Sequence, residues 1–156
     1  VASIQTSHEI SPAKMRQVVA ASSAGTVFEW YDFFVYGALA SVISPLFFSG
    51  LPDAQAFVFT LLTFAVGFIV RPVGALVFGK IGDSVGRKGA FLITITIMGI
   101  ATFLIGLLPT ANMTWGEYLS GRWITEPGLE PGDIGIVAPI LLVTMRVLQG
   151  FALGGE

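Results

Sequence analysis

The chain contains no cysteine, which excludes disulfides and thiolate metal sites. Its one histidine, His8, lies in a polar N-terminal stretch with no cluster of other ligands, so nothing supports a metal enzyme. Charge is scarce as well. Asp, Glu, Lys and Arg make up 12% of the 156 residues, whereas a soluble domain carries about 25%. The formal net charge is only −2. The few basic residues are grouped and do not form a stripe, which argues against a nucleic-acid partner. No cofactor is expected.

What the chain has in quantity is apolar sequence: 54% of residues are hydrophobic and the mean hydropathy is +0.81. A bilayer crossing needs about 20 such residues, and four spans qualify. They cover residues 18 to 48, 54 to 78, 90 to 108, and from Ile134 to the end at Glu156. Lipid leaves backbone groups no outside partner, so each span is expected to be a helix. Residues 1 to 17 form a polar N-terminus, with Ser11-Pro12 as an N-cap and first-turn pair. The first span is no signal peptide: it is too long, carries Glu29 and Asp32, and lacks a small-residue cleavage pattern.

The stretch Gly79-Lys80-Ile81-Gly82-Asp83-Ser84-Val85-Gly86-Arg87-Lys88 interrupts two apolar runs and is expected to be a short loop at the membrane surface. Its three basic residues, with Lys14 and Arg16 ahead of the first span, place both segments in the cytoplasm by the positive-inside rule. The connection over residues 111 to 133 holds Glu117, Glu126, Glu130 and Asp133 against Arg122 alone, as suits the outer face. There Trp115, Tyr118, Leu119 and Trp123 recur at helical spacing, compatible with a short interfacial helix or an irregular loop. Glu126-Pro127-Gly128 and Glu130-Pro131-Gly132 read as turns.

Four charged residues fall inside the spans: Glu29, Asp32, Arg71 and Arg146. A central charge costs about 2.5–3.5 kcal/mol on insertion scales, so each needs a partner, water or a function. Glu29 and Asp32 share a helix face. At about 1.5 Å per residue, Glu29 lies roughly 17 Å from Val18, Arg71 roughly 12 Å from Gly79 and Arg146 roughly 18 Å from Ile134. All are deep in the bilayer. They are either structural ion pairs or functional groups, with two carboxylates suited to carrying a proton and arginine suited to holding a carboxylate bidentately. Pro72 follows Arg71 and removes a backbone donor, which favours a kink. Gly150 and Gly154 form a GxxxG packing step. Beside it Gln149 either hydrogen-bonds across that glycine interface or faces the cavity. Gly74 to Lys80 match G-x-x-x-x-G-K, but Ile81 stands in place of the metal-binding Ser or Thr, which argues against a nucleotide site.

Together these motifs resemble the major facilitator superfamily. Gly79, Gly82, Asp83, Gly86, Arg87 and Lys88 match its turn between helices two and three, with departures at Ile81 and Ser84. Arg146-x-x-Gln149-Gly150 is similar to its fourth-helix pattern. The run from Glu29 to Gly37, Arg71-Pro72-x-Gly74, and the run from Gln149 to Glu156 resemble the metabolite:proton symporter branch. The resemblance implies an all-α membrane protein, the first four transmembrane helices of a twelve-helix fold working by alternating access. Val1 in place of Met, and a span still under way at Glu156, lead to the expectation of an N-terminal fragment with a long outer insertion near residues 111 to 133. The function implied is secondary transport, not catalysis: proton symport of a small polar metabolite across a bacterial inner membrane. Glu29, Asp32, Arg71, Arg146 and Gln149 are the expected proton-coupling or substrate-binding residues, and Asp83 and Arg87 belong to a cytoplasmic latch. Partners are the metabolite, protons, lipid and the remaining helices. The alternative from outside the family is a small four-helix membrane protein acting as an oligomeric exporter or structural partner.

Overall fold

The computed structural model describes residues 11–121 and 134–155, apart from the side chains of Ala21 and Phe28. These residues form α1 (Pro12–Phe47), α2 (Asp53–Val85), α3 (Arg87–Gly106), the short α4 (Trp115–Leu119) and α5 (Val137–Leu153), with no strand among them. The chain divides into two compact units, Val1–Val35 and Tyr36–Glu156. Helices α1, α2 and α3 are long and apolar enough to cross a membrane, while α5 is apolar but only 17 residues long. That length sits at the lower limit for a span. α2 is apolar around its surface: Ile69 and Leu76 are more than 70% exposed. A helix of this kind belongs in a core or in lipid.

In the second unit α5 packs against both α2 and α3. Gly67 lies beside Gly150, Arg71 beside Gly154 and Phe78 beside Gly155, so α5 runs in the same sense as α2. Thr102 meets Gln149 while Thr94 meets Gly155, so α5 runs opposite to α3. The α2–α5 seam is built from glycine on both sides. A Cβ at Gly150 would collide with the Gly67 carbonyl, one at Gly154 with the Arg71 carbonyl, and one at Gly74 with the Phe151 carbonyl. Small residues let helix backbones approach closely where lipid removes the hydrophobic drive to associate. Buried Thr60, Thr63 and Thr94 donate their hydroxyls to carbonyls of their own helices, so they enter the packed interior with that donor satisfied.

The expected ten-residue loop shrinks to one residue. Gly79, Gly82 and Asp83 complete the last turns of α2, Arg87 and Lys88 open α3, and Gly86 alone is non-helical. An isolated helical glycine costs only about 1 kcal/mol, which leaves Gly79 and Gly82 free to remain in the helix. Gly86 instead has φ 94° and ψ 145°, backbone that side-chain-bearing residues avoid, and its N–H donates to Gly82 O at 3.0 Å. Gly86→Ala is predicted to destabilise the fold by about 1–3 kcal/mol, read as a lower thermal unfolding midpoint. An unchanged midpoint would show that the α2–α3 junction tolerates another backbone path.

The opposite end is more ordered than a loop reading suggests. Ala111 N–H donates to Leu46 O at 2.8 Å, Ile134 N–H to Met113 O at 3.2 Å and Gly135 N–H to Ala111 O at 3.2 Å. Phe47, Ala111, Met113, Ile134, Ala138 and Leu142 bury one another there. Of the two readings for the aromatic stretch, helix holds over Trp115–Leu119, started by a capping box between Thr114 and Glu117. Trp123 and both Pro-Gly turns lie outside the described residues. The last helix starts three residues later than expected, because Gly135 adopts φ 41° and a turn precedes Val137. It also stops earlier, at Leu153, with Gly154 and Gly155 in a turn.

Candidate functional site

Phe64, Phe68 and Arg71 stand at helical spacing along α2, so their side chains line one stripe. Helix side chains lean towards the N-terminus. Accordingly the Arg71 guanidinium reaches back over the Phe68 ring, 4.3 Å from its centroid. Phe68 meets Phe64 edge to face at 5.2 Å, and Phe64 stacks on Tyr36 of α1 at 5.0 Å with 13° between the planes. On Tyr36 rests the guanidinium of Arg146 from α5, 3.9 Å from the ring centroid and 5.9 Å from that of Phe64. Three rings thus join the two arginines across three helices.

Tyr36 is 1% exposed and Arg146 is 6% exposed. The tyrosine hydroxyl donates to Thr60 O at 2.9 Å, which ties the ring to α2. A desolvated cation–π contact contributes about 2 kcal/mol or more, close to the insertion cost of one arginine. A guanidinium that stacks on a ring uses its face, whereas hydrogen bonds run from the edge in the guanidinium plane. Ring seating and carboxylate binding are therefore compatible in one side chain.

One turn along α5, Gln149 is 2% exposed and donates Nε2–H to Thr102 Oγ1 at 2.6 Å. The hydrogen bond runs to α3, and not across the glycine interface with α2 where it was expected. Arg71, Arg146 and Gln149 are thus held in one packed unit, whereas Glu29 and Asp32 belong to the first unit. Both carboxylates are half-buried on α1, amid an aromatic cluster in which Trp30 lies 5.9 Å from both Phe33 and Phe34. Lys80, Asp83, Arg87 and Lys88 are exposed around the Gly86 break.

A cavity of about 800 Å³ opens at the other end, lined by residues that include Phe47, Phe59, Ala111, Ile140 and Thr144. None of the residues singled out from sequence lines it. The sequence reading missed Tyr36, Phe64, Phe68, Thr102 and Gly67. A signal for three of them was present: aromatics three and seven residues before an intramembrane arginine fall on its own helix stripe, and Gly67 is four residues before it. Nothing in the sequence distinguishes Thr102 from its neighbouring threonines.

The sequence model of the sugar (and other) transporter family matches residues 17–156. The chain is 40% identical to the proline/betaine transporter of Escherichia coli K12 over 147 residues, which is 94% of this chain and 25% of that protein. It is 40% identical to the shikimate transporter of the same organism over 148 residues, covering 94% of this chain and 29% of that protein. The ectoine/proline transporter of Corynebacterium glutamicum is 36% identical over 147 residues. The chain therefore spans about a quarter of the length of these relatives. No solved structure matches it. The family is one of transporters and not enzymes, and the all-helical fold with its long apolar helices makes this a multi-pass membrane protein. With the family sequence model matching from the first span to the last residue, and with the arginine, glycine and glutamine motifs inside that match, the chain belongs to the sugar (and other) transporter family of the major facilitator superfamily.

Proposed function

We propose that this chain, within a transporter of its relatives' length, supplies the first helices of a proton-coupled symporter that imports a small carboxylate-bearing metabolite by alternating access. The observation that carries the proposal is Arg146, buried at the middle of α5 and seated on Tyr36. A cation kept at that depth has a use wherever an anionic group must be received. Proline, betaine, shikimate and ectoine, the cargoes in the relatives' names, all carry a carboxylate. Arg146 is assigned to that carboxylate, with Arg71 as a second cationic group on the same ladder and Gln149 as the brace of α5 on α3. Glu29 and Asp32 are assigned to the coupling proton. In sequence they precede Tyr36 by seven and four residues, the spacing of one helix stripe.

The residues about Gly86 are assigned to the cytoplasmic latch, with residues 1 to 17 also inside and residues 111 to 133 outside, in a bacterial inner membrane. The basic residues at both inner positions support this orientation. The test is external pH in a weakly buffered suspension of cells making the full-length transporter, with proline, glycine betaine and shikimate added singly. Alkalinisation on addition of one of them is the expected result. A silent electrode alongside measured uptake of the same compound would refute proton symport.

A further inference from the structure

We propose that Tyr36, backed by Phe64, is the positioning residue for Arg146: its ring fixes the plane of the guanidinium and so the direction in which the carboxylate-binding edge points. The inference rests on the assignment of Arg146 to a substrate carboxylate and adds what aims it. Three observations bear on it independently. The guanidinium carbon stands 3.9 Å from the Tyr36 centroid, the distance of a ring contact and not of chance proximity. The ring itself has little freedom: it is 1% exposed, stacks on Phe64 with 13° between the planes, and is tethered through its hydroxyl to Thr60 O. The tether also has a firm base, since Thr60 is fully buried and its hydroxyl is turned back to Ala56 O in its own helix.

A guanidinium on an unconstrained side chain samples many orientations, and a bidentate carboxylate selects few of them. A ring held from α2 and presented from α1 removes most of that freedom before substrate arrives, which is preorganisation in its ordinary sense. Because the face is used by the ring and the edge by the carboxylate, positioning and binding do not compete. Tyr36 and Phe64 come from different helices, so the aim of Arg146 on α5 depends on how α1 and α2 are packed together.

The two components of Tyr36 are separable by substitution. Tyr36→Phe keeps the ring and removes the tether; Tyr36→Met keeps much of the volume and removes the π face. Uptake of radiolabelled proline and shikimate by cells making the full-length transporter is measured over a range of concentrations, normalised to inserted protein. Tyr36→Met is expected to raise KM about ten- to thirty-fold with the maximal rate held within about two-fold, and Tyr36→Phe to stay within about three-fold of wild type. Phe64→Leu, one ring further away, should raise KM by a smaller factor and gives the same information if Tyr36→Met does not insert.

Arg146→Lys separates this proposal from the one beneath it. Lysine is a point charge with no plane to fix, so adding Tyr36→Met to Arg146→Lys should change KM far less than it does in wild type. An equal penalty in both backgrounds, a wild-type KM for Tyr36→Met and Phe64→Leu, or a Tyr36→Phe as impaired as Tyr36→Met would overturn the positioning role. A wild-type KM for Arg146→Lys and Arg146→Gln would instead overturn the assignment of Arg146 to the carboxylate.

Discussion

Gly150→Val is expected to abolish transport and to lower the thermal unfolding midpoint of the purified full-length protein by many degrees. A Cβ at position 150 falls on the Gly67 carbonyl and also lies 2.6 Å from the Gly67 carbonyl carbon and 2.7 Å from its Cα. Those are backbone atoms, which cannot swing aside as a side-chain tip can. Overpacking that flexible side chains absorb costs about 1–3 kcal/mol; separating two helix backbones costs more, because α5 must leave α2 along the whole seam from Gly67 to Phe78. The seam also sets the site. Moving α5 draws Arg146 off Tyr36 and Gln149 off Thr102, so the loss of transport should exceed what destabilisation alone produces. Gly99→Ala is the matched control, since a Cβ there meets nothing within 4 Å and the lost backbone freedom of the unfolded chain slightly favours folding. A wild-type midpoint for Gly150→Val would mean that α2 and α5 are not in backbone contact.

This seam also shows how far the sequence could be read. Gly150 and Gly154 announced a packing face because GxxxG marks close approach regardless of partner. The partner stayed hidden: Gly67 and Gly74 are seven apart in an apolar run and become a motif only when α5 is laid along them. Intramembrane charge was the strongest signal, since few other residues are so costly in lipid. It led to Arg71 and Arg146 but not to the rings beneath them. A buried arginine implies a carboxylate partner before it implies a ring, and in an apolar segment aromatic side chains look like ordinary lipid-facing or core residues. The Gly86 junction was overestimated for a related reason. Polar and glycine-rich composition marks the water boundary correctly, yet it does not say where a helix ends. Backbone φ does that, and within this stretch only Gly86 has a φ that requires glycine. The capping box at Thr114 and Glu117 was legible and unread, although Thr-x-x-Glu ahead of aromatics at helical spacing is a start signal.

Asp32→Asn tests the proton assignment with the other large expected effect. For a zwitterionic cargo, one proton moved across 100 mV supplies about 2.3 kcal/mol, enough to hold about a fifty-fold gradient of substrate. Asparagine keeps the size and polarity of the aspartate but cannot take up or release that proton, so accumulation of proline or glycine betaine should fall from roughly that factor to none. Binding and the exchange of helical states require no net proton release, and loaded cells or vesicles should still trade internal for external substrate. Loss of accumulation with exchange retained assigns Asp32 to coupling. Loss of both would make it a substrate contact. Accumulation at the wild-type level would remove it from the mechanism and leave Glu29, three residues earlier on the same face, to be tested as Glu29→Gln. The inserted amount should not change in any of these, because replacing a carboxylate by an amide lowers the cost of placing the helix in lipid.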